Sequence, residues 1–139
     1  MKNLLLVDDN DRYAAILDEF FAERGYTSTR AVDAADGLAK FDAQGPDHFS
    51  VIVTDITMET QLAGIFMLGK IKKRGFKGTV VVASTGFDVP LVVPLSRACL
   101  GPYGVHFLIP KTTVLSRQIA FYPMNFFSPP RYEFEEITG

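Results

Sequence analysis

Short apolar runs alternate with amphipathic stretches along most of this chain of 139 residues. The runs predict five strands, at residues 3–7, 26–31, 49–54, 78–84 and 105–109. Apolar residues at helical spacing predict helices at residues 10–24, 33–43 and 64–74, and Asp33 suits the N-cap of the second. The first strand is apolar throughout, as is typical of a strand covered on both faces. Such alternation predicts an α/β domain with a parallel sheet and right-handed crossovers.

Acidic and hydroxyl side chains stand where the predicted strands end. Asp8 and Asp9 follow the first strand, Asp55 follows the third, and the fourth ends at Ser84 and Thr85. Because ligands of open α/β sheets bind outside the carboxyl ends of the strands, these residues should meet at one rim. Three carboxylates in one cleft repel one another and form a hard oxygen site suited to Mg²⁺.

The same rim has the groups that phosphoryl transfer needs. A carboxylate can act as the nucleophile and become an acyl phosphate, while cations and hydroxyl donors neutralise the other phosphate oxygens. Lys111, just beyond the fifth strand, would supply a positive charge, and Thr85 or Ser84 a hydroxyl. Taken alone, Asp8 and Asp9 would also suit the cap of the first helix, and Asp55 would suit a turn.

Four short motifs together carry a family resemblance. They are VDDN at 7–10, DITM at 55–58, ASTG at 83–86 and the lysine that follows FLI at 107–109. In this order and spacing, over about residues 3–111, they resemble the receiver domain of two-component response regulators. The resemblance implies a flavodoxin-like fold, with a doubly wound five-stranded parallel sheet of order 2-1-3-4-5. It also implies that Asp55 accepts a phosphoryl group from a histidine kinase or phosphotransfer protein.

The resemblance further implies roles for individual residues. Asp9 and Asp55 would bind Mg²⁺ directly, together with the Thr57 carbonyl, and Asp8 would act mainly through water. Lys111 would hold a phosphate oxygen. The protein would then be a cytoplasmic signalling switch, which catalyses only its own phosphorylation and dephosphorylation and is not otherwise an enzyme.

A conformational switch is also part of the resemblance. Thr85 would move to hydrogen-bond the phosphoryl group, although Ser84 remains an alternative for this hydroxyl. Phe107 resembles the aromatic residue that turns inward as the hydroxyl moves, and Leu108 fits the spacing equally well.

Departures from the family pattern support a second hypothesis. Glu59 stands where the family usually has proline, and the family's Lys-Pro pair is reversed here as Pro110 followed by Lys111. The chain could therefore be a degenerate receiver, which binds a partner without being phosphorylated. A haloacid dehalogenase-type phosphatase is discounted, because Thr57 stands where that family needs a second Asp. A flavodoxin is disfavoured, because DDND follows the first strand instead of a loop rich in Ser, Thr and Gly.

Prolines and aromatic residues set the C-terminal part apart. Pro90 and Pro94 predict an irregular fourth helix, and Pro123 ends the fifth helix early. Residues 120–139 contain six aromatic side chains, which would form an exposed apolar patch if they stayed in water. We therefore expect a receiver domain at 1–121 and a tail at 122–139 that packs on the domain or on a second copy, making a homodimer.

Composition excludes several other classes of function. The net charge of −2 implies no basic face for nucleic acid, and no apolar run of about 18 residues predicts a membrane span. The chain has one cysteine, Cys99, so it forms no internal disulfide, and a reducing compartment, the cytoplasm, is expected.

Overall fold

The computed structural model describes residues 2–55, 61–84, 106–116, 119 and 122–123. The elements in these ranges are β1 (Lys2–Val7), α1 (Asp11–Ala22), β2 (Tyr26–Ala31), α2 (Ala34–Gln44), β3 (Val51–Asp55), α3 (Gln61–Lys73), β4 (Thr79–Ser84), β5 (Phe107–Pro110), α4 (Lys111–Leu115) and β6 (Tyr122–Pro123). The five predicted strands are all present, and their bounds lie within two residues of the predicted ones.

The strands form one sheet of order β2-β1-β3-β4-β5-β6. Strands β1 to β5 pair in parallel. The predicted α/β fold, with a parallel sheet of order 2-1-3-4-5, is therefore confirmed. Strand β6 pairs antiparallel with β5 and extends the sheet at that edge, which the sequence analysis did not predict.

The first two helices begin and end at residues whose chemistry favours those positions. Asn10 caps α1 by accepting hydrogen bonds from two backbone N–H groups of the first turn. Asp33 caps α2 as predicted, accepting from the Asp36 N–H at 2.7 Å. Gly45 ends α2 with φ of 88°, a left-handed conformation that glycine adopts without steric cost.

Apolar side chains cover both faces of the sheet. Leu4 and Leu6 of β1 pack on the face covered by α1, together with Phe21. Leu5 and Val7 of the same strand pack on the opposite face, with α2 and α3. Each large side chain buried in this way contributes about 1.5–3 kcal/mol to folding. This two-sided burial explains why the first strand is apolar at every inner position.

The C-terminal elements are short. Helix α4 has five residues, and residue 119 is not helical, in line with the early end predicted for the fifth helix of a receiver. The predicted irregular fourth helix around Pro90 and Pro94 lies outside the described residues. Tyr122 and Pro123, the first residues of the predicted tail, pair with Leu108 and Phe107 of the same chain.

The helices are also short relative to a bilayer. Among the residues described, α3 has the greatest helical length, at 13 residues. A membrane span needs about 20 predominantly apolar residues. No helix in the described ranges combines the length and the apolar composition needed to cross a membrane.

His106 joins β4 to the start of β5 through both its backbone and its side chain. Its N–H donates to the Val80 carbonyl at 2.8 Å, and its Nδ1 accepts from the Val80 N–H at 3.0 Å. An Nδ1 that accepts a hydrogen bond carries no proton, so the neutral ring holds its proton on Nε2. Partial desolvation of the ring lowers the pKa of His106 below its ordinary value of 6.5.

This arrangement predicts a loss of stability in mild acid. The unfolded chain binds a proton to His106 more readily than the folded chain does, so the unfolding free energy falls as pH drops below about 6.5. Wild type should lose more stability between about pH 7.5 and pH 5.5 than His106→Gln does, measured by urea unfolding. An unchanged pH dependence in His106→Gln would contradict the prediction.

Candidate functional site

The neighbouring strands β1 and β3 deliver three carboxylates to one point. Asp8 directly follows β1, and Asp55 is the last residue of β3. The parallel register pairs Val7 with Thr54, so the residues that follow each of them are neighbours. Carboxylate oxygens of Asp8, Asp9 and Asp55 all lie within 4.8 Å of one another. We call these three residues the carboxylate cluster.

The carboxylate cluster is buried on one side and open on the other. Asp8 is 1% exposed and Asp55 is 3% exposed, whereas Asp9 is exposed. Asp8 Oδ1 accepts a hydrogen bond from the Asn10 N–H at 2.9 Å, which fixes the orientation of this carboxylate. Buried like charges at this separation are costly unless a cation or a proton accompanies them.

The donor set of the carboxylate cluster fits a magnesium ion. Mg²⁺ prefers hard oxygen ligands, and in phosphoryl-transfer sites it is held by one or two carboxylates together with waters and phosphate oxygens. Three carboxylate oxygens within 4.8 Å can reach one ion, and the exposed Asp9 leaves a side for water and phosphate.

Arg30 of β2 holds the backbone that carries the carboxylate cluster. Its Nε donates to the Asp8 carbonyl at 2.8 Å, and its Nη2 donates to Asp11 Oδ1 at 3.0 Å. The Asp8 N–H in turn donates to the Ala31 carbonyl at 3.0 Å. Both backbone polar groups of Asp8 are therefore tied to β2. Arg30 is not among the site residues predicted from the sequence, although it is the one cation in the β2 sequence YTSTRA.

The remaining predicted site residues lie at the same rim or outside the described residues. Ser84 ends β4, one residue beyond Ala83, which pairs with Asp55. Lys111 begins α4 directly after Pro110, which pairs with Ser84, so its backbone starts at this rim. Thr57 and Thr85 are outside the described residues.

The two candidates for the switch residue face opposite sides of the sheet. Phe107 is partly buried and packs against the core on the α1 side. Leu108 is fully buried in the core on the α2 and α3 side. The switch role of either residue stays a prediction.

The family model of the response regulator receiver domain matches residues 4–98. This chain belongs to the response regulator receiver domain family. Receiver domains are signalling modules and not classical enzymes.

One curated relative of this receiver is the Regulator of RpoS of Escherichia coli (strain K12). It is 31% identical over 83 residues, which are 60% of this chain and 23% of that protein. The receiver thus spans about a quarter of the length of the curated relatives it matches.

Solved receiver structures share the fold. The receiver domain of the Francisella response regulator 1452 has a TM-score of 0.66 at 22% identity, covering 85% of this chain and 91% of that one. The response regulator TrrA of Thermotoga maritima, solved in complex with Mg²⁺-BeF, has a TM-score of 0.63 at 21% identity, covering 84% of this chain and 99% of that one.

The contacts of Arg30 predict a measurable effect on stability. Arg30→Met removes both hydrogen bonds and leaves the Asp8 carbonyl without this donor, so the unfolding free energy should fall by about 1–3 kcal/mol. The matched control Arg12→Met, at an exposed residue of the first turn of α1, should change it by less than about 0.5 kcal/mol. Chemical denaturation measures both variants. Equal losses in the two would show that Arg30 does not support the site.

Proposed function

We propose that this receiver is a phosphoacceptor switch in which Asp55 takes a phosphoryl group from a phosphohistidine. The observation that supports this most directly is the carboxylate cluster, in which the side chain of Asp55 lies within 4.8 Å of two further carboxylates. The donor would be a histidine kinase or a phosphotransfer protein, and the predicted location is the cytoplasm. In the transfer, an Asp55 oxygen bonds to phosphorus as the N–P bond breaks and its electron pair returns to the imidazole.

The carboxylate cluster would hold Mg²⁺ for this reaction. Asp9 and Asp55 are assigned as direct ligands, with the Thr57 carbonyl, and Asp8 as a ligand through water. When bound, the ion neutralises the carboxylates and the phosphoryl oxygens. The hydrogen bond from Asn10 and the backbone ties to β2 hold Asp8 in place before any ligand binds.

Other residues at the rim would complete the phosphoryl site. Lys111 is assigned to a phosphoryl oxygen, and Thr85, or Ser84 in its place, to a second one. The backbone of Lys111 starts opposite the end of β4, which supports this assignment. Movement of the hydroxyl would then be passed to Phe107 or Leu108 as the switch residue.

A degenerate receiver that binds partners without phosphorylation is the alternative. The placement of Pro110 favours it, because this proline takes the last position of β5 and Lys111 belongs to α4. The side chain of a lysine on a helix can project from a different position than the side chain of a lysine at a strand end. Whether the protein is phosphorylated therefore distinguishes the phosphoacceptor switch from the degenerate receiver.

The first prediction of the proposed function is covalent modification of Asp55. Incubation with acetyl phosphate and Mg²⁺ should add one alkali-labile phosphoryl group, detected by mass spectrometry of the intact protein. Asp55→Asn should remain unmodified, while the matched control Asp47→Asn, at an exposed loop residue, should be labelled like wild type. Equal labelling of wild type and Asp55→Asn, or no labelling of wild type, would favour the degenerate receiver.

The second prediction concerns the metal alone. Mg²⁺ should bind in the millimolar to sub-millimolar range, and Asp9→Ala should weaken it by about 10-fold or more, because a direct carboxylate ligand is lost. Titration calorimetry of wild type and Asp9→Ala measures this. The control Asp18→Ala, at an exposed carboxylate of α1, should bind as wild type does. Unchanged affinity in Asp9→Ala would make the metal assignment wrong even if Asp55 is phosphorylated.

A further inference from the structure

A second concave site lies at the opposite end of the strands from the carboxylate cluster. A cavity of about 320 Å³ opens between the end of α3 and the start of β4. This volume is at the lower end of the range of about 300–1,000 Å³ that ligand pockets occupy. Its apolar lining includes Ile71 and Val80, which are buried, and Phe76, which is partly buried. An apolar side chain would gain free energy by entering it.

The rim of this cavity is basic. Lys72 and Lys77 line it beside the neutral ring of His106, and Lys70 and Lys73 are exposed on the last turns of α3. The helix dipole favours lysines in the last turn of α3. Lys77 lies beyond the end of α3, so this effect does not account for its position. The chain as a whole has a net charge of −2, so these lysines form a local positive patch that contrasts with it. Such a patch is complementary to an acidic occupant.

The chain itself contains a segment with the matching chemistry. Residues 132–136 read Tyr-Glu-Phe-Glu-Glu, so two aromatic rings and three carboxylates fall within five residues. An aromatic ring suits the apolar lining, and flanking carboxylates suit the lysines at the rim.

The direction of β6 leads the chain toward the cavity. Leu108 pairs with Tyr122 and Phe107 with Pro123, so β6 runs back along β5 toward His106. The chain therefore leaves β6 beside the end of β5 at which His106 lines the cavity. Strands lie about 4.8 Å apart, so β4 is roughly 10 Å from β6. The eight residues 124–131 can span up to roughly 26 Å, which exceeds this distance.

We propose that the cavity between α3 and β4 binds the chain's own residues 131–136. An aromatic side chain of this segment, Phe134 or Tyr132, enters the cavity, and its glutamates face Lys72 and Lys77. The carboxyl-terminal segment is then anchored twice, first by β6 along β5 and then at the cavity. This contact does not depend on the chemistry of Asp55, so failure of one proposal leaves the other intact.

Paramagnetic relaxation in the full-length protein tests the contact. A nitroxide on Thr138→Cys, in a Cys99→Ser background, should broaden the methyl resonances of Leu68 and Ile71, which line the cavity. The methyl groups of Leu4 and Leu17, in the core on the other face of the sheet, should broaden less. A mixed sample contains protein with the nitroxide but no isotope label, and isotope-labelled protein without the nitroxide. The methyl resonances of the isotope-labelled protein should show no broadening in this sample, because the contact is within one chain.

Matched variants then test the two parts of the recognition. Phe134→Ala with Tyr132→Ala removes the aromatic side chains and should abolish the selective broadening. Lys72→Glu with Lys77→Glu should reduce it severalfold, because the rim becomes acidic. The control pair Lys2→Glu with Arg12→Glu makes the same change of charge at exposed residues of β1 and α1, and should leave the broadening unchanged.

The outcomes that overturn the proposal are distinct. Equal broadening at Leu4 and Ile71, or none at either, means that the segment does not occupy the cavity. Broadening that persists without the two aromatic side chains assigns the occupant to another part of the chain. Broadening seen only in the mixed sample assigns the segment to a second copy, and the protein would then be a dimer held by exchanged tails.

Discussion

The parallel pairing of β1 with β3 is the constraint on which the site depends. The register sets Val7 opposite Thr54, and so it brings Asp8 next to Asp55 at the carboxyl ends of the two strands. A slip of one residue would exchange the faces of the apolar side chains, which are buried on both sides of β1. The same burial that fixes the register therefore also fixes the distance between carboxylates that repel each other. The stability of the core therefore holds together carboxylates that repel one another.

Strand β2 supplies the second support for the site. The Asp8 N–H donates to Ala31, and the Asp8 carbonyl accepts from Arg30, so its main chain is held from the neighbouring strand. Arg30 also contacts Asp11 at the start of α1. This guanidinium thereby lies beside an acidic site while donating to a main-chain carbonyl and to an exposed carboxylate outside the cluster. The two hydrogen bonds of Arg30 thus go to groups other than the three carboxylates of the cluster.

Much of the fold and part of the site could be predicted from the sequence, for identifiable physical reasons. Apolar runs mark the buried strands, so the predicted strand bounds lie close to the observed ones. The Asp33 cap marks the start of the second helix. The strand order, by contrast, was implied by the family resemblance. The cluster followed from the carboxyl ends of the strands. Arg30 was missed because it bonds to a main-chain carbonyl 22 residues away, which no local pattern shows. Strand β6 was missed because two residues, one of them Pro123, have no strand periodicity.

The two edges of the sheet are closed by different means, and this bears on what a partner can contact. At the β2 edge, Lys40 donates to the Arg30 carbonyl, so a main-chain acceptor of the edge strand already has a donor. At the other edge, β6 pairs with Phe107 and Leu108 of β5, and Pro123 suits an outer strand because it lacks a backbone N–H. The part of β5 that pairs with β6 is therefore not an open strand edge, so a strand that added to the sheet there would pair with β6 and not with Phe107 or Leu108.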